Sequence, residues 1–296
     1  MFQNNLGEFF ALFTAFCWTV TAMSFESAGK KVGSLSVNLI RLIMAFVFLG
    51  IYSWITQGFF VPTKFSQHAW LWLSLSGVVG FAFGDLMLFE AFVQAGSRVS
   101  MLVMSLVPVF SAILGWFLLK EVLSFQEIAG MIVTISGISL VILKRNKRKL
   151  QLSHSYKGLL FALLGALGQS LGLVLSKFGM GSYNAFAATQ IRVISGIVGF
   201  VIIFFIFKRW KNVHRALQNN SALRRIGLGA FFGPFLGVSF SLLAIQHTQT
   251  GVASTIIAIV PVLIIPPSII IFKEKINVKE IIGAVIAVFG VSLLFL

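Results

Sequence analysis

The amino-acid sequence predicts an all-α integral membrane protein in which ten transmembrane helices form two inverted five-helix repeats. Three observations lead to this fold class. Of the 296 residues, 58% are hydrophobic and only 10% are charged, whereas roughly a quarter of the residues of a water-soluble domain carry charge. The chain also contains ten long apolar runs, and its second half repeats the pattern of its first. Most of the protein surface is therefore expected to face lipid.

Each apolar run is long enough to cross a bilayer as a helix. A hydrocarbon layer about 30 Å thick requires roughly 20 helical residues. Helices are favoured over barrel strands because the runs are continuously apolar, without in-and-out alternation. We place the ten spans at residues 6–25, 36–56, 70–92, 99–119, 125–143, 158–176, 185–207, 224–246, 251–272 and 278–296. The connections between them are too short for an extramembrane domain.

The basic residues indicate an orientation in the membrane. Odd-numbered connections contain 18 of the 23 Lys and Arg residues, and even-numbered connections contain 3. Cytoplasmic loops are enriched in these residues, so the odd connections are predicted to be cytoplasmic and both termini external, in a bacterial inner (plasma) membrane. The net charge of +15 is expected to attract anionic lipid headgroups. A nucleic-acid partner is not expected, because no recognisable binding module accompanies these basic residues.

The second half of the sequence repeats the first. Charged, Gly and Pro residues coincide when the chain is shifted by 153 residues in spans three to five and by 151 residues in spans one and two. The coinciding segments include Val107-Pro108-Val109 with Val260-Pro261-Val262, Lys120-Glu121 with Lys273-Glu274, Gly80 with Gly233, Gly84 with Gly237, Gly130 with Gly283, and Ile40-Arg41 with Ile191-Arg192. We divide the chain into repeats 1–150 and 151–296. Because five is odd, the second repeat must enter the membrane from the opposite side.

With these features the whole chain resembles the EamA-type ten-helix branch of the drug/metabolite transporter superfamily. The resemblance rests on the mid-helix Pro of spans four and nine, the Glu after each of those spans, the Gly-rich closing helices and the Arg early in spans two and seven. It implies an exporter of small metabolites with a cavity between the halves. It also implies cytoplasmic termini, so two orientations stay open.

Asp85 is the only Asp of the chain and lies well inside span three. A carboxylate at that depth costs about 2.5–3.5 kcal/mol on insertion scales, so it must face the bundle interior or water. It either couples transport to protons or binds a substrate amine, or it is a structural acid bonded to a neighbouring helix. Glu90, one turn from the end of the same span, either belongs to the pathway or extends to the interface.

Arg41 and Arg192 occupy matching positions about one turn into their spans. Their retention in both repeats indicates a role in the fold, such as binding backbone carbonyls or lipid phosphate. The alternative is that they bind a substrate carboxylate or close a gate.

Further residues are predicted to border the pathway. Pro108 and Pro261 each remove a backbone hydrogen bond in mid-span, so they should kink or hinge spans four and nine. Trp18, Phe83 and Gln169 are candidate lining residues.

The sequence favours a carrier over an enzyme. It has no phosphate-binding loop of the Walker type, no catalytic constellation, no metal site and no implied cofactor. We expect a secondary transporter that exports small metabolites, such as amino acids or amphiphilic compounds, by alternating access. The alternatives are a channel and a non-transporting membrane sensor. The sequence does not distinguish a monomer from a homodimer.

Overall fold

A computed structural model gives the fold of the chain. It describes residues 6–119, 124–146, 149–152, 155–247, 253, 256–274 and 276–293. Lys120 and Glu121, which form part of the resemblance, lie outside these residues.

The described part of the chain is almost entirely helical. The first half contains α1 (Leu6–Val32), α2 (Ser34–Gln57), α3 (Gln67–Gly77), α4 (Asp85–Ala95), α5 (Ser97–Val103), α6 (Leu106–Leu119) and α7 (Phe125–Ile142). The second half contains α8 (Tyr156–Met180), α9 (Ala185–Phe207), α10 (Trp210–Leu217), α11 (Asn220–Ala230), α12 (Val238–His247), α13 (Val260–Leu263), α14 (Ile265–Phe272) and α15 (Val278–Leu293).

A short β-hairpin connects the two halves. Strands β1 (Leu143–Asn146) and β2 (Lys149–Leu152) pair antiparallel. The boundary between residues 150 and 151 falls inside β2, and the division of the chain at that point stays a prediction.

Eight described helices are long and apolar enough to cross a membrane. They are Leu6–Val32, Ser34–Gln57, Gln67–Ala95, Ser97–Leu114, Phe125–Ile142, Tyr156–Met180, Ala185–Phe207 and Asn220–Ala244. A shorter apolar helix, Val260–Phe272, lies at predicted span nine, and α15 lies at predicted span ten. The prediction of an all-α membrane protein is confirmed.

Spans three and eight each contain a π-helical segment of seven residues, Val78–Gly84 and Phe231–Gly237. The segments are related by the 153-residue shift that relates the halves. Such segments are rare and are often found at functional sites. Proline alone does not cause them, because only the second contains one, Pro234, at the position that matches Phe81.

The packing of α8 against span three is antiparallel and relies on glycine. A Cβ atom added to successive glycines of α8 would approach residues progressively earlier in span three: Gly158 approaches Ala95, Gly165 approaches Leu88, Gly172 approaches Gly80 and Gly179 approaches Leu73. The same relation holds between α1 and span eight, where Gly229, Gly233 and Gly237 approach Phe25, Thr21 and Cys17. Each half thus places its first helix against the third span of the other half.

Helices α7 and α15 form a symmetric antiparallel pair. A Cβ on Gly137 would lie 2.5 Å from the amide nitrogen of Ala287, and a Cβ on Gly290 would lie 2.3 Å from that of Thr134. Since Thr134 matches Ala287 and Gly137 matches Gly290 across the repeat, the two contacts exchange when the halves are exchanged. This is the packing expected of inverted repeats.

The predicted proline kinks coincide with helix interruptions. Span four is interrupted between α5 and α6, at Met104 and Ser105, just before Pro108. Span nine is interrupted just before Pro261, and again at Ile264 between α13 and α14. The absent proline N–H accounts for a break at this distance upstream.

Candidate functional site

Asp85 and Arg41 form a buried ion pair. Asp85 begins α4, directly after the π-helical segment, and Arg41 lies in α2. Nη2 of Arg41 donates to Oδ2 of Asp85, and each residue is 3% exposed. The desolvation cost of burying such a pair is offset only if further hydrogen bonds satisfy its polar atoms. Asn38 provides them: its Oδ1 accepts from Nε of Arg41 at 3.0 Å, and its Nδ2 donates to the backbone carbonyl of Asp85 at 3.3 Å.

Gln169 of α8 joins this ion pair from the other half. Its Nε2 donates to Oδ1 of Asp85 and, at 3.2 Å, to the carbonyl oxygen of Gly80. Helix α8 comes this close because two glycines face each other: a Cβ on Gly168 would lie 2.6 Å from Cα of Gly84. The Asp85 carboxylate therefore receives donors from both halves.

The ring of Phe81, in the first π-helical segment, lies near both guanidinium groups of the repeat. Cζ of Arg192 lies 4.9 Å from the ring centroid, and Cζ of Arg41 lies 5.7 Å from it. Cations are attracted to aromatic faces at these distances. The two matching arginines are thus neighbours around one buried ring, which is 2% exposed.

Arg192 is buried without the partners that Arg41 has. It is 5% exposed, and its Nε lacks a hydrogen-bond partner. In the part of the chain that the structure describes, neither a hydrogen bond nor an ion pair involves its guanidinium. Arg41, Asp85 and Arg192 together carry a formal charge of +1, so the cluster has one positive charge that its own carboxylate does not compensate.

Trp18, in α1, also has a buried polar atom without a partner. Its Nε1 makes no hydrogen bond with any described residue. Its ring packs against an apolar cluster that contains Phe81 and Val238. Sequence reasoning selected Trp18 as a lining residue, and the structure adds this buried donor.

Two other candidates lie apart from the cluster. Glu90 accepts a hydrogen bond from Oγ of Ser34 at 2.5 Å and another from Nε2 of Gln94 at 2.8 Å, so it ties α4 to the start of α2. Phe83 is 43% exposed, and the structure does not bring it to the ion pair. Phe83 instead lies beside α8, where a Cβ on Gly168 would come 3.0 Å from its Cδ1.

A second charged cluster joins the halves at the face of the odd-numbered connections. Nε of Arg98 donates to Glu274 at 2.8 Å, and its Nη1 donates to Glu280. Arg98 lies in the first turn of α5 in the first half, whereas both carboxylates belong to the second half. Close by, Glu26 pairs with Lys30, and its other oxygen accepts the backbone N–H of Ser97 at 2.7 Å.

Arg98 was not among the candidates named from the sequence. The repeat relates Glu280 to Glu127, which forms a capping box with Ser124 at the start of α7. Glu280 differs, because its carboxylate bonds Arg98 and the side chain of Asn277 accepts from the N–H of Lys279. The signal that the sequence offered was the position of Arg98 at a span end, on the same predicted side of the membrane as Glu274 and Glu280.

These features describe a multi-pass membrane protein of two intertwined, inverted halves with a charged site between them. The sequence pattern of the EamA-like transporter family matches residues 5–143 and 156–296, one copy in each half. The chain belongs to this family, and so it is a membrane transporter of the drug/metabolite transporter superfamily. The resemblance noted from the sequence is thereby confirmed.

Named relatives agree with this assignment. An uncharacterized transporter from Clostridium kluyveri is 26% identical over 223 residues, which are 74% of this chain and 70% of that protein. An uncharacterized transporter from Archaeoglobus fulgidus is 29% identical over 139 residues, or 46% of this chain and 47% of that protein. A crystal structure with 17% identity superposes with a TM-score of 0.64 over 97% of this chain and 95% of the other, which supports the fold.

Proposed function

We propose that the protein is a secondary transporter that exports small metabolites across the bacterial plasma membrane by alternating access of its two halves. The observation that carries the proposal is the Asp85 cluster, because a charged group within the spans receives donors from both inverted halves. Ionisable residues at such depth mark substrate or ion pathways. Inverted repeats can exchange conformations around a site of this kind.

Within this proposal Asp85 is the coupling group. When it is ionised it attracts Arg41 and accepts from Gln169, and these contacts hold span three, α2 and α8 together. Protonation would remove its negative charge and weaken both contacts. Proton binding would therefore loosen the contact between the halves, which links the proton gradient to the conformational change.

The two charged clusters have different tasks in this mechanism. Arg98 with Glu274 and Glu280 closes the face of the odd-numbered connections, and it must separate when that face opens. The interrupted spans four and nine supply hinges beside this contact, because helix breaks absorb backbone rotation. No catalytic or cofactor role is assigned to either cluster.

The proposal is tested by flux into proteoliposomes. A carrier gives saturable uptake and counterflow, whereas a channel gives non-saturating current and a sensor binds ligand without flux. Asp85→Asn should abolish the response to a pH gradient and retain exchange. Glu127→Gln is the matched control, because glutamine also completes a capping box at that position, and its gradient response should equal that of the wild type. Full proton dependence in Asp85→Asn would refute the coupling role.

A further inference from the structure

The repeat relates two groups of residues in the site, one around Asp85 and one around Val238. Around Asp85, Arg41 from the first half and Gln169 from the second both donate to the carboxylate. The repeat places Arg192 at the position of Arg41, Trp18 at that of Gln169 and Val238 at that of Asp85. The group around Val238 thus keeps a pair of donors, one from each half, and replaces the acceptor by an apolar side chain.

The geometry supports this correspondence. A Cβ on Gly84 would lie 3.4 Å from Nε2 of Gln169, and a Cβ on Gly237 would lie 3.7 Å from Nε1 of Trp18. Gly84 and Gly237 each close a π-helical segment and directly precede Asp85 and Val238. Nε2 of Gln169 and Nε1 of Trp18 therefore occupy equivalent places, each beside the end of a π-helical segment.

The donors around Val238 are the ones left without partners. Nε of Arg192 and Nε1 of Trp18 are both buried and unbonded in the described part of the chain. Asn38, which bonds Nε of Arg41, is matched by Thr189, whose hydroxyl donates to its own helix at Ala185 instead. Buried donors are rarely left unsatisfied, because their desolvation is costly.

We propose that the transported compound carries a carboxylate, which binds to Arg192 and Trp18 beside Val238, the place corresponding to Asp85. This inference rests on the proposed transport function and names the substrate class for it. A guanidinium binds a carboxylate through two parallel hydrogen bonds. One carboxylate balances the charge of +1 on Arg41, Asp85 and Arg192. The neighbouring walls are apolar, since Val238 packs in a cluster with Phe81 and Phe200.

Binding is tested first, by thermal unfolding of the full-length protein in detergent. The probes are a panel of amino acids, the same acids without the amino group, and the methyl esters of the amino acids. A ligand of the folded state raises the unfolding temperature. The expected result is stabilisation by one or more carboxylates and by none of the esters. Stabilisation by esters, by inorganic phosphate alone, or by no carboxylate in the panel would overturn the inference.

Variants then locate the site. Arg192→Gln and Trp18→Phe should each weaken the apparent affinity of the stabilising carboxylate, about tenfold or more for Arg192→Gln, since charged hydrogen bonds are the strong ones. Phe125→Leu, at an exposed position on α7, is the control and should keep wild-type affinity. Unchanged affinity in Arg192→Gln would contradict the assignment.

A sharper test places an internal carboxylate at the proposed position. Val238→Asp should reproduce the arrangement around Asp85 and abolish carboxylate binding, whereas Val238→Asn should retain measurable binding. Without ligand, Val238→Asp should unfold at a higher temperature than the double variant Val238→Asp with Arg192→Gln, because only the single variant pairs the new charge. Equal unfolding temperatures, or carboxylate binding that persists in Val238→Asp, would refute the assignment.

The two proposals fail in different ways. Saturable flux of an ester or amine without carboxylate transport would leave the transporter intact and exclude the carboxylate site. If a carboxylate raised the unfolding temperature in an Arg192-dependent way but no flux were detected, the site would be supported and the transport mechanism excluded.

Discussion

The side-chain amide of Gln169 donates a hydrogen bond to the carboxylate of Asp85, and these two residues belong to opposite halves of the molecule. This contact explains how an acidic side chain is accommodated inside an apolar bundle. It also makes the carboxylate sensitive to the relative position of the halves, since α8 belongs to the second half.

Gln169→Leu should lower the stability of the protein by about 1–3 kcal/mol, because it removes a donor from a buried ionised group. The check is the unfolding temperature in detergent at neutral pH. Gln218→Leu is the control, since Gln218 is exposed and its side chain bonds the exposed ring of His214, and substitutions at such positions change stability by about 0.5 kcal/mol or less. Equal effects of the two substitutions would show that the contact with Asp85 is not stabilising.

Arg98→Gln should favour opening of the face at which Arg98 joins the halves, because Glu274 and Glu280 lose their shared cation. Leu102, one turn further into the span and 3% exposed, reports on the opening. In a Cys17→Ala background, Leu102→Cys should react faster with a membrane-impermeant maleimide when Arg98→Gln is added. Lys31→Gln should leave the rate unchanged. A lower unfolding temperature with an unchanged labelling rate would indicate a structural ion pair instead of a gate.

Gly168→Val should destabilise the protein strongly. Even a Cβ at this position would lie 2.6 Å from the backbone of Gly84, so α8 must move away from span three and carry Gln169 with it. Overpacking of this kind costs about 1–3 kcal/mol or more. Gly227→Ala is the control, because its Cβ would meet only Sδ of Met44, at 3.9 Å. The readouts are the unfolding temperature and flux, and wild-type values for Gly168→Val would contradict the close packing.

Gln126 and Lys279 are matching exposed residues and should lie on opposite sides of the membrane. Single cysteines at the two positions, in a Cys17→Ala background, should differ in their reaction with an impermeant reagent on intact cells. The Lys and Arg distribution predicts that position 126 is external and position 279 cytoplasmic. The reverse result would establish the orientation that the family resemblance implies. Reaction of both positions from the same side would rule out inverted repeats.

The sequence predicted several parts of the site for identifiable reasons. Asp85 was recognisable because a carboxylate inside an apolar run is costly, and Arg41 and Arg192 because they coincide across the repeat. The glycines shared by spans three and eight were also visible, although the π-helical segments that they close were not. The contact between Arg98 and Glu280 was not predicted, because local spacing alone does not reveal a cation from the other half.

The sequence by itself determined the membrane environment, the helical spans and the inverted duplication, because these follow from hydropathy, length and an odd number of spans per repeat. Only the tertiary structure decided which polar side chains share a partner. Asp85 bonds Arg41 and Gln169, whereas Arg192 and Trp18 lack an acceptor in the described chain. Such pairings depend on helix rotation and on how closely the glycine faces approach, and neither is encoded in hydropathy. Which of these side chains pair is therefore a property of the packing of the two halves.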